Sequence, residues 1–143
     1  MPTRTAQAQW DGKIKDGRGT LKLGSGAYEG AYSFQSRFED GQGTNPEELI
    51  GAAHAGCFSM ALSGMLEKAG FAPRSIRTRA DVTVEMKGQG FAITGIVLQT
   101  EADVPGIEES AFMEQAENAK TNCPVSKALA GVQIELDATL EEH

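Results

Sequence analysis

The chain has 143 residues, the length of one domain, with Lys plus Arg at 13 against Asp plus Glu at 20 for a net charge of −7. That acidity lacks the basic footprint that a phosphate backbone or an anionic membrane surface demands, so neither nucleic acid nor membrane is expected as a partner. Hydrophobic residues at 40% and charged residues at 23% exclude whole-chain disorder, and two cysteines are too few for a disulfide scaffold.

The first third reads as short strands. Ala6, Ala8 and Trp10 alternate with polar residues up to a turn at Asp11-Gly12. Leu21 and Leu23 mark a second strand after the Gly17–Gly19 loop, and Tyr32 and Phe34 predict a third. The N-terminal MPTRTAQAQW has no apolar h-region, so no signal peptide is expected and the cytoplasm is the expected compartment.

The pattern then changes. Thr44-Asn45-Pro46-Glu47-Glu48 is a dense helix-start signal. Asn45 can cap, Pro46 sits where its missing N–H costs nothing, and the two glutamates suit the positive end of the dipole. The helix is predicted to run to Lys68-Ala69 and stop at Gly70. Residues 49–66 carry no Asp, Glu, Lys or Arg, which predicts a helix buried nearly all round. Its length only just reaches that of a spanning segment, and His54, Ser59, Ser63 and three glycines favour burial in protein over burial in lipid.

Residues 76–86 alternate cleanly, with Ile76, Ala80, Val82, Val84 and Met86 on one face. Gly88-Gln89-Gly90 turns the chain into a second long strand over 91–102, which Val104-Pro105-Gly106 ends. Residues 108–121 predict an amphipathic helix with Ala111, Phe112, Ala116 and Ala119 inward, and a short helix follows Cys123-Pro124. A last strand alternates Val132, Ile134, Leu136, Ala138 and Leu140 with polar residues. Sheet and helix segregate in blocks, so the expectation is one α+β domain over 1–143, with mostly antiparallel sheets around a long buried central helix.

Few residues could carry chemistry. Cys57 lies mid-helix, where a free cysteine is commonly a small core hydrophobe. Cys123 lies at a helix mouth, a position that stabilises a thiolate and suits a leaving thiol or a redox partner. One cysteine in a core helix and one at a helix mouth suggest a pair, although the 66 positions between them are unlike a CxxC motif. Arg37 reads as an exposed loop arginine. His54 stands one turn before Cys57 on the same face, either as a base for the thiol or as a hydrogen-bonded core histidine. A metal site from His54, Cys57, Cys123 and His143 lacks paired-ligand spacing.

The run from Thr44 to Leu62, TNPEELIGAAHAGCFSMAL, resembles the signature of the OsmC/Ohr family, the osmotically inducible protein C and organic hydroperoxide resistance proteins. Asn122-Cys123-Pro124-Val125-Ser126 is similar to the family's second cysteine motif. The likeness also takes in Gln9-Trp10-Asp11-Gly12, Arg37-Phe38-Glu39 and Val104-Pro105-Gly106-Ile107, and is closer to the OsmC branch. It implies an intertwined homodimer acting as a thiol-dependent peroxidase on organic hydroperoxides, with oxidative or osmotic stress protection as its role. Cys57 resembles the peroxidatic cysteine and Cys123 the resolving one, which would close a Cys57–Cys123 disulfide. Arg37 resembles the arginine that holds the thiolate, and Glu47 the carboxylate that orients it. No cofactor or metal is implied, only an external dithiol reductant, of lipoyl type in some members. A binding protein for a small apolar ligand, with structural cysteines, is the alternative.

Helix arithmetic adds a constraint. Glu47 and Cys57 are ten residues apart, about 15 Å along a straight helix. The small residues Gly51, Ala53, Ala55 and Gly56 surround their midpoint, Ala52. Two such helices crossing antiparallel there would set Glu47 of one copy beside Cys57 of the other, so the homodimer is expected to share its sites.

Overall fold

The computed structural model describes residues 1–142, so His143 lies outside the described residues. The chain forms two compact units, Met1–Leu49 and Ile50–His143.

The first unit is an antiparallel meander of β1 (Ala6–Asp11), β2 (Arg18–Leu23) and β3 (Glu29–Tyr32), followed by a short helix α1 (Phe34–Phe38). Trp10, Gly19 and Tyr32 stand side by side across the three strands. The two rings close over the glycine, 5.5 Å between centroids, and a Cβ on Gly19 would run into both. The third strand ends sooner than the alternation of Tyr32 and Phe34 predicts, because Ser33 is a helix cap. Its extended backbone and a reciprocal pair of bonds start α1: Ser36 N–H donates to Ser33 Oγ at 3.0 Å, and Ser33 N–H reaches Ser36 Oγ at 2.8 Å. Ser36 then donates to the Thr44 carbonyl at 2.7 Å, and Asn45 Nδ2 donates to the Ser36 carbonyl at 3.0 Å. These bonds fasten α1 to the start of the long helix α2 (Pro46–Lys68).

Helix α2 begins and ends where the sequence places it. The Glu48 N–H is capped by Asn45 Oδ1 at 2.7 Å. At the far end Phe71 N–H donates to the Leu66 carbonyl and Gly70 N–H to that of Glu67, with Gly70 at φ +96°. This is the paired closure that a left-handed residue after the last turn allows. Its packing is narrower than expected. Gly51, His54, Phe58, Leu62 and Leu66 form one buried stripe, while Ala52, Ala53, Gly56, Met60 and Gly64 are exposed. The prediction of a helix buried nearly all round is therefore corrected for the single chain. By length and composition alone α2 could cross a membrane, but its stripe is seated in a protein core.

That core belongs to the second unit. β4 (Ser75–Lys87) and β5 (Gly90–Asp103) form a long antiparallel hairpin, and β6 (Gln133–Leu140) lies parallel to β5. A parallel neighbour requires a crossover, supplied here by α3 (Glu109–Asn122) and α4 (Pro124–Ala128). Phe58, Leu62 and Leu66 of α2 join Ile96, Leu98 and Phe112 in one cluster. Each such side chain contributes roughly 1.5–3 kcal/mol on burial. A row of hydroxyls runs from helix to sheet: Ser59 to Thr78 at 2.7 Å, then Thr78 to Thr100 at 2.9 Å. Among the described residues three of the four strand pairs are antiparallel, as the α+β reading expects.

Candidate active site

Two constellations form, one in each unit. In the second unit Cys57, on α2, meets Cys123 at the joint between α3 and α4. Cys123 N–H closes α3 onto the Ala119 carbonyl at 2.9 Å, and its own carbonyl accepts from Lys127 N–H at 3.0 Å in α4. A residue tied on both sides cannot drift. Its Sγ lies 2.9 Å from Cys57 Sγ, across 66 positions of sequence. Both cysteines are free; Cys123 is fully buried and Cys57 half-buried. The remaining gap is less than about 1 Å longer than a covalent S–S bond.

The two thiols differ electrostatically. Burial pushes the Cys57 thiol up, the hydrogen bond with Cys123 pushes it further, and the Val125 N–H recovers only part. Burial also pushes Cys123 up. There the bond from Cys57, the Ser126 N–H and hydroxyl, and the Val125 N–H outweigh it, and the net direction is down. A proton held between the two sulfurs therefore favours Cys57, and activating Cys57 as a nucleophile requires a cation beside it.

His54 is buried on the same stripe. Its Nε2 lies 2.7 Å from Ser126 Oγ, not against Cys57, and its Nδ1 has no partner among the described residues. Burial holds its pKa below the ordinary value, so it is neutral at pH 7. Ser126 is the residue that sequence reasoning missed. The available signal was its place three residues after Cys123, the position from which a short polar side chain returns to the residue before a helix.

In the first unit Arg37, on α1, meets Glu47, in the first turn of α2. Arg37 Nε lies 3.0 and 3.1 Å from the two carboxylate oxygens, and Nη2 is 2.9 Å from Oε2. Glu47 is buried, whereas the Arg37 side chain is 37% exposed. Arg37 is thus a held helical arginine, not a loop residue. It is aimed by the carboxylate and lies 5.0 Å from the Phe38 ring centre. A cleft of about 230 Å³ opens beside it, walled by Trp10, Ile14, Tyr32, Phe34 and Phe38. Among the described residues no cluster of three or more His, Cys, Asp or Glu could hold a metal ion.

The α+β fold thus carries a close pair of free thiols, one fully buried and one half-buried, and a carboxylate-held arginine. The profile of the OsmC-like protein family matches residues 39–137. The peroxiredoxin OsmC of Escherichia coli strain K12 is 52% identical over 139 residues, 96% of this chain and 96% of that one. An organic hydroperoxide resistance protein of Xanthomonas axonopodis pv. citri is 32% identical over 103 residues, 70% of this chain and 67% of its own length. The crystal structure of an OsmC-like protein from Mycoplasma pneumoniae superposes with a TM-score of 0.77 over 99% of both chains, at 15% identity. The chain belongs to the OsmC-like family, and the higher identity places it in the OsmC branch.

Proposed function

We propose that the chain is a cysteine-based peroxidase that reduces organic hydroperoxides to alcohols. The observation that carries this reading is the 2.9 Å approach of two free thiols far apart in sequence. The names of the relatives support it: one is a peroxiredoxin and another confers organic hydroperoxide resistance. Cys57 as thiolate attacks the terminal peroxide oxygen. An S–O bond forms, the O–O bond breaks, and the departing alkoxide takes a proton and leaves as alcohol. Cys57 is left as sulfenic acid. Cys123 displaces its hydroxide, which takes a proton and leaves as water, and the two sulfurs are joined. A dithiol, of lipoyl type on the family likeness, then reduces the disulfide by exchange. The guanidinium of Arg37 is the cation that reverses the upward push on Cys57, since it stays charged in any environment. Glu47 holds it by paired bonds. The aromatic cleft beside Arg37 favours an organic tail over hydrogen peroxide.

Along α2, Glu47 and Cys57 are about 15 Å apart. The proposed enzyme is therefore a homodimer in which the open α2 faces cross antiparallel near Ala52, and the Arg37–Glu47 pair of one copy serves Cys57 of the other. Free thiols and a reductive cycle suit the cytoplasm.

The test counts thiols before and after one equivalent of an organic hydroperoxide. A peroxidase loses both at once, whereas a binding protein with structural cysteines keeps them. Cys57→Ser is expected to abolish turnover. Cys123→Ser is expected to reduce about one equivalent per chain and then over-oxidise. Activity that survives in Cys57→Ser and disappears in Cys123→Ser would reverse the two roles.

A further inference from the structure

The row His54, Ser126, Cys123, Cys57 contains one hydrogen whose direction decides its chemistry. A serine hydroxyl has a single hydrogen to donate. His54 Nε2 and Ser126 Oγ are 2.7 Å apart, a bond that either atom can donate. If Nε2 is bare, the serine spends its hydrogen on the histidine and offers nothing to the thiol. If Nε2 carries the proton, His54 donates to the serine, and the serine hydrogen is free to point at Cys123.

Three observations select the second arrangement. His54 Nδ1 is buried without a partner among the described residues. A proton there would be a buried donor with no acceptor, which is costlier than a bare nitrogen in the same place. His54 is neutral, so only one nitrogen carries a proton. Ser126 sits in the first turn of α4, three residues after Cys123, and its hydroxyl is one of the groups that pull the Cys123 thiol down.

We propose that His54 is a positioning residue for the resolving thiol: its Nε2–H donates to Ser126, and Ser126 then donates to the Cys123 thiolate. The arrangement rests on the peroxidase reading for its use. There the Cys123 thiolate attacks the sulfenic sulfur of Cys57. An S–S bond forms and the S–O bond breaks. The sulfenic sulfur is reduced, Cys123 is oxidised, and the released hydroxide takes a proton from solvent and leaves as water. His54 never touches the reacting atoms. Its effect passes through Ser126, with Cys57 the other titratable group in contact with Cys123.

Two measurements test this without requiring turnover. Nitrogen-15 spectra of histidine-labelled, reduced protein report the tautomer directly, and His54→Gln assigns the signal by removing it. A neutral ring protonated at Nε2 is expected; a ring protonated at Nδ1 would overturn the proposal. Thiolate absorbance is then titrated in a Cys57→Ser chain, where Cys123 is the only thiol. Ser126→Ala is expected to shift the Cys123 profile upward by about one pH unit, the scale of one lost hydrogen bond to a charged group. His54→Leu is expected to shift it in the same direction, and His54→Gln, which keeps an N–H donor near Nε2, to restore most of the loss. In the Ser126→Ala background, His54→Leu is expected to add nothing. A further shift there, or no shift with Ser126 present, would overturn the relay. If His54→Leu fails to fold, the spectra and the His54→Gln profile still decide. Failure of the peroxidase reading shows separately, as thiols that survive peroxide.

Discussion

A neutral histidine without exposure has a consequence that reaches beyond its serine. Burial lowers the pKa of His54 below its ordinary 6.5. Between those two values the unfolded chain binds a proton that the folded chain refuses, so acid favours unfolding. The contribution is complete above about pH 6.5 and is lost as the pH falls toward the folded value. Thermal melts from pH 7.5 to 5.5 are expected to fall more steeply for the wild type than for His54→Gln, which has nothing to protonate there. Equal slopes would mean that the folded imidazole takes up a proton as readily as the unfolded one. The sequence made the two cysteines legible as a pair but left His54 open between base and core residue. Periodicity places a side chain on a face; it does not say which atom beyond that face receives its hydrogen bond.

At the scale of elements, α2 was the most legible because its ends carry residues with few alternatives. Asn45-Pro46 starts the helix and Gly70 stops it. Gly70 adopts φ +96° with nothing within 4 Å of the place a Cβ would occupy. Gly70→Ala therefore meets no clash, only the backbone penalty, expected at about 1 kcal/mol in chemical denaturation with activity unchanged. A loss near zero would mean that the helix end re-forms differently. The short helix α1 was hidden because Tyr32 and Phe34 alternate like a strand and its cap uses Ser36, not the glutamate or glutamine that usually marks the motif. The parallel alignment of β6 was hidden for another reason: alternation reveals a strand's faces, not its neighbour or direction. The width of α2's buried stripe was misread because an absence of charge shows that a face avoids water, not that its own chain covers it.

At the scale of the whole molecule, that uncovered face is the argument for a second copy. Exposed Met60 beside the small residues Ala52, Ala53 and Gly56 gives a helix surface that two backbones can approach closely. Co-refolding Cys57→Ser with Glu47→Gln, each impaired alone, checks the shared site. Mixed dimers are expected to regain one intact site of two, with Cys57 from one chain and Glu47 from the other. Mixed dimers that remain as impaired as their parents would return both residues to a single chain.

The meeting of two sulfurs across 66 positions also bears on how long the protein lasts. A bond between them would tie a loop of that length in the unfolded chain. The chain-entropy estimate for such a loop is about 4 kcal/mol in favour of the folded state. Peroxide-treated protein is thus expected to melt higher and to resist proteolysis longer than protein kept in dithiothreitol, and identical melts would show that no such loop closes. A cell short of reductant would accumulate spent molecules that are harder to clear than working ones, so the supply of reducing power would set the age of this protein as well as its rate.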